Sequence, residues 1–208
     1  MKANLRDIIR YLVYNATYPP TKTSLIKLVY MADYYHTKAY GVQLTDCEYQ
    51  LRRYGAVCFA IPDTAREIPP EELKKTVILY PNGYGIIYEP GSECKRQFGL
   101  TSEQRQILDL VIAKHSGQSL PELKKAHYET EPMQKVRKNG EKLDMTVTKR
   151  SQKIGENARI KGLQSRISKM NIRTSGAPEE CAEHYKTMMS TLALARKRAN
   201  TVRIGGDK

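Results

Sequence analysis

The sequence predicts a mainly α-helical fold of the α+β class, in which a compact helical domain with a small β-hairpin precedes a basic, largely helical C-terminal extension. Three observations support this prediction: apolar residues recur at helical spacing, one strong turn dipeptide separates two β-rich runs, and positive charge is concentrated near the C-terminus. A chain of 208 residues has room for a domain and an extension. We place the domain at residues 1–145 and the extension at residues 146–208.

Two amphipathic helices are predicted near the N-terminus. In residues 5–13 the apolar side chains follow the i, i+3, i+4, i+7 spacing of one helix face, and Pro19-Pro20 ends that helix. Either Thr23 or Ser24 can cap the second helix. Its predicted end is Gly41, because glycine readily adopts the left-handed conformation that terminates helices.

The middle of the chain carries the one strong β signal. Residues 76–81 and 84–89 flank Asn82-Gly83, a dipeptide typical of the type I′ turn, and therefore predict a hairpin. Two strands alone are marginally stable in water, so we expect the hairpin to pack against the helices or to meet a further strand.

Two earlier segments fit more than one type of secondary structure. Residues 46–53 fit either a short helix or an extended segment, because their pattern matches neither period well. Residues 56–61 form an apolar run that we expect to be buried, and Cys58 lies inside it.

Two capping boxes predict the helices of the second half. Thr101 with Gln104 begins one helix, which Gly117 closes, and Ser119 with Glu122 begins the next. Beyond these helices, residues 134–153 lose helical periodicity, which predicts a linker or a mobile loop.

The sequence lacks the common signatures of catalysis. Neither a phosphate-binding glycine loop, nor a nucleophile elbow, nor a zinc-hydrolase motif occurs, and the four cysteines are not spaced as metal ligands. Asp33 with His36 and His127 with Glu129 have the spacing of acid–base pairs, but such helical neighbours arise often by chance. We therefore predict a protein that is not an enzyme, with no catalytic residue, no metal and no cofactor.

The hydropathy pattern predicts a cytoplasmic protein. The longest stretch without a charged residue is 13 residues, from Thr76 to Tyr88, whereas a membrane helix needs about 20 apolar residues. The N-terminus becomes charged and amphipathic at once, unlike a secretory signal.

Tyrosine is the abundant aromatic residue, with 14 copies against two of Phe and none of Trp. Tyr combines a large contact area with a polar group, so a cluster of tyrosines suits a binding surface. An alternative interpretation places the same residues at the edge of the core with their hydroxyls in water. The candidate partner contacts in the domain are Tyr30, Tyr34, Tyr49 and Tyr54.

Positive charge belongs mainly to the extension. Residues 149–208 contain 14 Lys or Arg and 5 Asp or Glu, whereas residues 1–148 are nearly balanced. This asymmetry indicates either an acidic protein partner or DNA or RNA, bound through residues 149–203, and a solvated face without a specific role stays open as well. The basic residues able to line one helix face are Arg159, Lys161, Arg166, Lys169 and Arg173.

A series of short motifs resembles a known family. The first half contains Lys27-Leu-Val-Tyr-Met-Ala-Asp33, Tyr40-Gly41, Asp46-x-x-Tyr49 and Arg53-Tyr-Gly-Ala-Val57, and the second half contains Leu100-Thr101, Ser119-Leu-x-Glu-Leu123 and His127-x-Glu129. In this order and spacing, over about residues 5–137, the sequence resembles the Panacea antitoxin domain family. The motif residues are Lys27, Asp33, Gly55, His127 and Glu129. Ala56 and Met133 stand where the family has Pro and Trp.

The resemblance implies a mostly helical core with a small hairpin, no catalysis, and a function in binding and silencing a cognate toxin or another target protein. It also implies that an added terminal segment, here residues 146–208, sets the partner or binds DNA. Two alternatives remain: a nucleic-acid-binding regulator that uses the extension, and a phage-encoded inhibitor of a host defence protein. The sequence leaves a homo-oligomer open.

Overall fold

The structure is a computed structural model, and it describes residues 2–80, 83–93 and 97–150. The five basic residues assigned to the extension, from Arg159 to Arg173, lie outside these described residues. Within them the elements are α1 (Leu5–Asn15), α2 (Lys22–Tyr40), β1 (Gln50–Arg52), β2 (Gly55–Val57), α3 (Ala60–Glu67), β3 (Leu73–Tyr80), β4 (Gly83–Pro90), α4 (Ser102–Val111), a π-helical turn (Ile112–Ser116), α5 (Leu120–Tyr128), α6 (Glu131–Lys135) and α7 (Val147–Arg150).

The fold is mainly helical with two small antiparallel hairpins, which confirms the predicted class. The predicted hairpin pairs β3 with β4, and Val77 lies opposite Ile86. The predicted register is corrected, because Tyr80 lies opposite Gly83, and Gly83 is therefore the first residue of β4 and not one of the two turn residues. It packs against the helical body as expected, since the N–H of Tyr88 donates to the carbonyl of Pro20 at 3.0 Å. Residues 46–61 contain a second hairpin, formed by β1 and β2.

Helix α2 is the centre of the domain. The helices α1, α4 and α5 and the strand β2 all contact it, and its buried residues lie on every face. Its cap is Thr21, whose hydroxyl accepts the N–H of Ser24, so the expected cap at Thr23 or Ser24 was misplaced by two or three residues. Gly41 ends the helix at φ 75°, as predicted.

The two predicted capping boxes are both formed. Thr101 and Gln104 exchange hydrogen bonds at the start of α4, and Ser119 and Glu122 do the same at the start of α5. Each box satisfies backbone N–H groups that the helix itself leaves unpaired. The helical corner between α4 and α5 is thereby fixed against α2.

The stretch after α6 is not a linker, although it lacks periodicity. Leu143 donates its N–H to the carbonyl of Tyr49, and Leu51 donates to the carbonyl of Glu141, so this segment runs along β1. Thr148 is 1% exposed, and α7 contacts α2. Backbone hydrogen bonds to an edge strand hold this segment in place, so it needs no amphipathic pattern. Sequence periodicity therefore does not detect it.

No helix in the described residues combines the length and the apolar character needed to cross a bilayer.

Candidate functional site

The family motif forms a polar cluster inside the domain, and its first member is Lys27 on α2. This side chain is only 1% exposed, and its Nζ donates to the carbonyl of Ala56 in β2 at 2.7 Å. Burial, assisted by the charge of Lys124, lowers the pKa of Lys27 to about 8. An ammonium that is this far buried ties the β1–β2 hairpin to the central helix.

His127 and Gly55 complete this side of the cluster. Gly55 has φ 98°, and a Cβ at that position would stand 2.9 Å from Lys27 Nζ and 3.2 Å from His127 Cε1. Only glycine therefore allows the hairpin to approach α2 and α5 this closely. His127 is fully buried, and burial together with the Lys27 charge holds its pKa well below the usual value, so the ring is neutral.

Tyr30 connects His127 to the rest of the core. Its ring lies 4.1 Å from the His127 ring, centroid to centroid, and 5.1 Å from the Tyr49 ring in an edge-to-face arrangement. The Tyr30 hydroxyl lies 2.7 Å from the Thr130 hydroxyl, which donates to the carbonyl of His127. Ring contacts and a continuous hydrogen-bonded path thus fix α5 on α2.

Asp33 anchors the loop that follows α2. Its buried carboxylate accepts the N–H of Thr45 at 2.7 Å, the hydroxyl of Thr45 at 2.6 Å and the hydroxyl of Tyr49 at 2.7 Å. Burial raises the pKa of this carboxyl group, and the hydrogen bonds from Thr45 and Tyr49 oppose that shift. Asp33 consequently positions the chain that enters β1.

The structure corrects the expected tyrosine surface. Tyr30, Tyr34 and Tyr49 are 0%, 7% and 1% exposed, so these three candidate contacts belong to the core. Tyr34 donates to Glu131 at 2.6 Å and accepts from Lys38 at 2.9 Å, so its hydroxyl is bound within the chain. The regular helical spacing of Tyr30 and Tyr34 fits a core helix as well as a surface, which is why sequence alone did not separate the two.

Tyr54 is the candidate that reaches solvent, with 55% of its surface exposed. Two cations contact its ring, since Arg53 Cζ lies 5.4 Å and Lys124 Nζ lies 4.8 Å from the ring centre. Next to it on the same hairpin, Arg52 lies 5.5 Å from the ring of Phe59, which is 54% exposed. We call these five residues, Arg52, Arg53, Tyr54, Phe59 and Lys124, the Tyr54 surface.

Four members of this surface were not assigned to binding from the sequence, namely Arg52, Arg53, Phe59 and Lys124. Arg52, Phe59 and Lys124 come from a strand, the residue before α3 and the middle of α5, and only the packing of α5 on β2 brings Lys124 to Tyr54. The Arg-Arg-Tyr run at residues 52–54 was the one available signal.

The remaining motif residue, Glu129, and the suspected acid–base pair of Asp33 and His36 contact other parts of the chain. Glu129 is exposed, and its backbone N–H donates to Lys125 at the end of α5. His36 Nδ1 lies 2.7 Å from the carbonyl of Val42, while Asp33 bonds Thr45 and Tyr49, so these two side chains have separate partners.

The cysteines of the hairpin are buried free thiols, as expected for Cys58. A hydrogen bond from Cys47, with backbone N–H groups at the start of α3, lowers the pKa of Cys58. In the described part of the chain, no group of three or more His, Cys, Asp or Glu side chains is arranged to hold a metal ion.

Comparison with known proteins identifies the family. The family model described as "Antitoxin SocA-like, Panacea domain" matches residues 25–133, just over half of the chain, and the chain belongs to this family. The match includes the residues of the polar cluster, from Lys27 to Thr130, and confirms the resemblance seen in the motifs. Membership supports an antitoxin-type function with a protein partner. No curated protein and no solved structure matches the chain.

Proposed function

We propose that this protein is a non-catalytic, antitoxin-like binding protein, which neutralises a partner protein, its toxin, by direct contact. The observation that carries the proposal is the position of the family motif within the fold. Lys27, Gly55 and His127 lie inside the domain, where they join the β1–β2 hairpin and α5 to α2 and hold Tyr54 outward. The motif thus supports a rigid outer surface, as binding requires.

The burial of the titratable motif residues favours binding over catalysis. A general acid or base has to come within hydrogen-bonding distance of its substrate. Lys27, Asp33 and His127 are at most 1% exposed, and Lys27 and Asp33 bond to protein groups. Their perturbed pKa values follow from burial in the core, so we assign them a structural function.

Two parts of the chain can contact the partner. The Tyr54 surface offers aromatic area and cations on a fixed hairpin, and residues 149–208 add the large excess of positive charge. Buried aromatic anchors should supply most of the affinity, while the charges accelerate the encounter.

Co-expression tests the proposal directly. A candidate toxin, taken from the gene adjacent to that of this protein, is induced in a bacterial host with and without the intact chain. Growth should recover only when the chain is present, and the two proteins should elute together on gel filtration. Gly55→Ala, which we expect to destabilise the domain, is the negative control for rescue, and Gly140→Ala is its matched control.

The alternative is a nucleic-acid-binding regulator, which the charge of residues 149–208 favours. The two functions respond differently to salt. Binding to phosphates weakens steeply between low and physiological salt, whereas a protein complex with an apolar centre persists. Recovery of growth without a complex of the two proteins would contradict neutralisation by direct binding.

A further inference from the structure

We propose that the Tyr54 surface binds an acidic segment of a partner protein, whose carboxylates contact Arg52, Arg53 and Lys124 around the exposed rings of Tyr54 and Phe59. The identity of the partner as a protein rests on the proposed function, whereas the acidic chemistry follows from the surface itself. The structure supports this inference in three steps.

The first step is that the cations are held in place before binding. Arg53 and Lys124 both contact the Tyr54 ring, at 5.4 and 4.8 Å, and Arg52 contacts Phe59 at 5.5 Å. Cation–π contacts restrict these long side chains, so less conformational entropy is lost when a carboxylate binds. Gly55 and the buried Lys27 fix the hairpin below them.

The second step is that the positive charge is not neutralised within the described residues. Among residues 2–80, 83–93 and 97–150, none of Arg52, Arg53 and Lys124 forms an ion pair with a carboxylate. The buried ammonium of Lys27 adds a further charge under the same hairpin, and the repulsion between Lys27 and Lys124 contributes to the lowered pKa of Lys27. The surface therefore carries a local positive potential that an acidic segment complements.

The third step separates an acidic protein from nucleic acid. Single-stranded nucleic acids bind by stacking bases on open aromatic faces. Here each ring already has a cation over it, so the groups offered to a ligand are guanidinium and ammonium N–H donors beside apolar ring edges. Arginine forks fit carboxylates in two-bond geometry, and the ring edges fit apolar side chains between the acids.

The hairpin tip provides a useful contrast. Val77, Leu79 and Tyr84 are 61%, 66% and 72% exposed on one face of β3 and β4. This face is apolar near the turn, and the ammonium of Lys75, further along the same face, donates to the carbonyls of Arg66 and Ile68. It offers no comparable charge to recognise an acidic segment, so Tyr84 serves as a matched aromatic control.

Amide NMR titration of the intact protein tests the chemistry without knowledge of the partner. The probes are a short peptide of alternating Glu and Leu, the same peptide with Gln in place of Glu, and single-stranded oligothymidylate. We expect the Glu peptide to shift the amides of residues 52–59 and 120–128, and the Gln peptide to bind about tenfold more weakly.

Paired variants locate the site. Lys124→Glu should weaken binding of the Glu peptide about tenfold, whereas Lys22→Glu, the same change at an exposed lysine of α2, should alter it less than about twofold. Tyr54→Ala should also weaken binding, and Tyr84→Ala should leave it unchanged. An unchanged amide spectrum away from the substituted residue shows that each variant is folded.

Several results would overturn the inference. The first two are amide shifts that lie outside the Tyr54 surface and an equal loss of affinity for the Glu peptide in Lys124→Glu and Lys22→Glu. The others are equal affinity for the Glu and Gln peptides and amide shifts at this surface with oligothymidylate alone. If a toxin is neutralised by the intact protein and equally well by Lys124→Glu and Tyr54→Ala, the proposed function stands and the acidic docking site fails. If the Glu peptide binds as expected but no toxin is neutralised, the surface stands and the proposed function fails.

Discussion

Lys27 Nζ lies against Gly55 where the β1–β2 hairpin meets the central helix. A Cβ on Gly55 would stand 2.9 Å from that nitrogen, and the same nitrogen donates to the carbonyl of the next residue, Ala56, at 2.7 Å. The left-handed backbone at Gly55, with φ 98°, is what allows both contacts. The hairpin thus depends on a glycine for its conformation and on a lysine for its attachment.

The first prediction is that Gly55→Ala destabilises the domain by roughly 2–4 kcal/mol. About 1–2 kcal/mol comes from the positive φ, and the remainder from the collision with Lys27 and His127. Gly140 separates the two causes, since it has φ 88° and nothing within 4 Å of a built Cβ. In urea unfolding, Gly140→Ala should lose only the stability that is due to the positive φ. Equal losses of unfolding free energy in the two variants would show that the close approach to Lys27 is unimportant.

The second prediction concerns the buried carboxylate. Asp33→Ala should lower the free energy of unfolding by about 3–5 kcal/mol, because the N–H of Thr45 and the hydroxyls of Thr45 and Tyr49 lose their acceptor inside the core. Asp46, which pairs with Lys2 at the surface and is 82% exposed, is the matched control. Asp46→Ala should cost less than about 1 kcal/mol in the same thermal or urea measurement. Similar costs for the two would contradict an anchoring function for Asp33.

The third prediction is that His127 contributes a loss of stability as the pH falls below about 6.5. His127 has a depressed pKa in the folded state, so below the ordinary histidine pKa the unfolded chain binds a proton that the folded chain does not. Stability should therefore fall by about 1.4 kcal/mol per pH unit for this residue. Burial lowers the pKa of His115 as well, so it adds to the same slope.

His127→Phe isolates the contribution of His127, because it keeps an aromatic ring against Tyr30 and removes the titrating group. The slope of unfolding free energy against pH, measured just below pH 6.5, should become shallower in this variant. A slope identical to that of the unsubstituted protein would show that His127 does not remain neutral in the fold.

The fourth prediction separates the core tyrosine from the surface tyrosine. Tyr30→Ala should cost about 3–5 kcal/mol of stability, because it removes a fully buried ring between Tyr49 and His127. Tyr54→Ala should change stability by less than about 1 kcal/mol while weakening partner binding. Calorimetric unfolding together with a binding assay checks both, and partner binding retained by a folded Tyr54→Ala would remove Tyr54 from the interface.

Local signals in the sequence were sufficient for most helices. The capping boxes at Thr101 and Ser119 and the terminator at Gly41 each depend on residues within one turn of the helix end, so their chemistry can be recognised without tertiary structure. The hairpin of β3 and β4 was found from the local signal at Asn82-Gly83, but its register was not, because Gly83 pairs with Tyr80 as the first residue of β4.

Features that depend on distant partners were missed. Strand β1 is three residues long and pairs on one side with β2 and on the other with residues near Glu141, so neither it nor the segment after α6 shows a period. Burial of the tyrosines is decided by what covers α2, which its own sequence does not reveal. Lys27, Gly55 and His127 are far apart in the sequence, and their close approach requires the fold.

The two departures from the family pattern are both inside the domain. Ala56 and Met133 are 0% and 4% exposed, so both departures lie in the core and neither is part of the Tyr54 surface. Lys27 donates to the backbone carbonyl of Ala56. A proline at this position would present the same carbonyl group.

The central claim is that the protein acts by binding another protein. The most direct test is affinity capture of the tagged chain from its native host after nuclease treatment and a wash at high salt, with the intact chain and a truncation after Arg150 side by side. Truncation there keeps Thr148 and its buried contacts, which a cut after Asp144 would remove. We expect one protein to remain bound to the intact chain in a stable complex, and recovery of nucleic acid alone, released by salt, would contradict the claim.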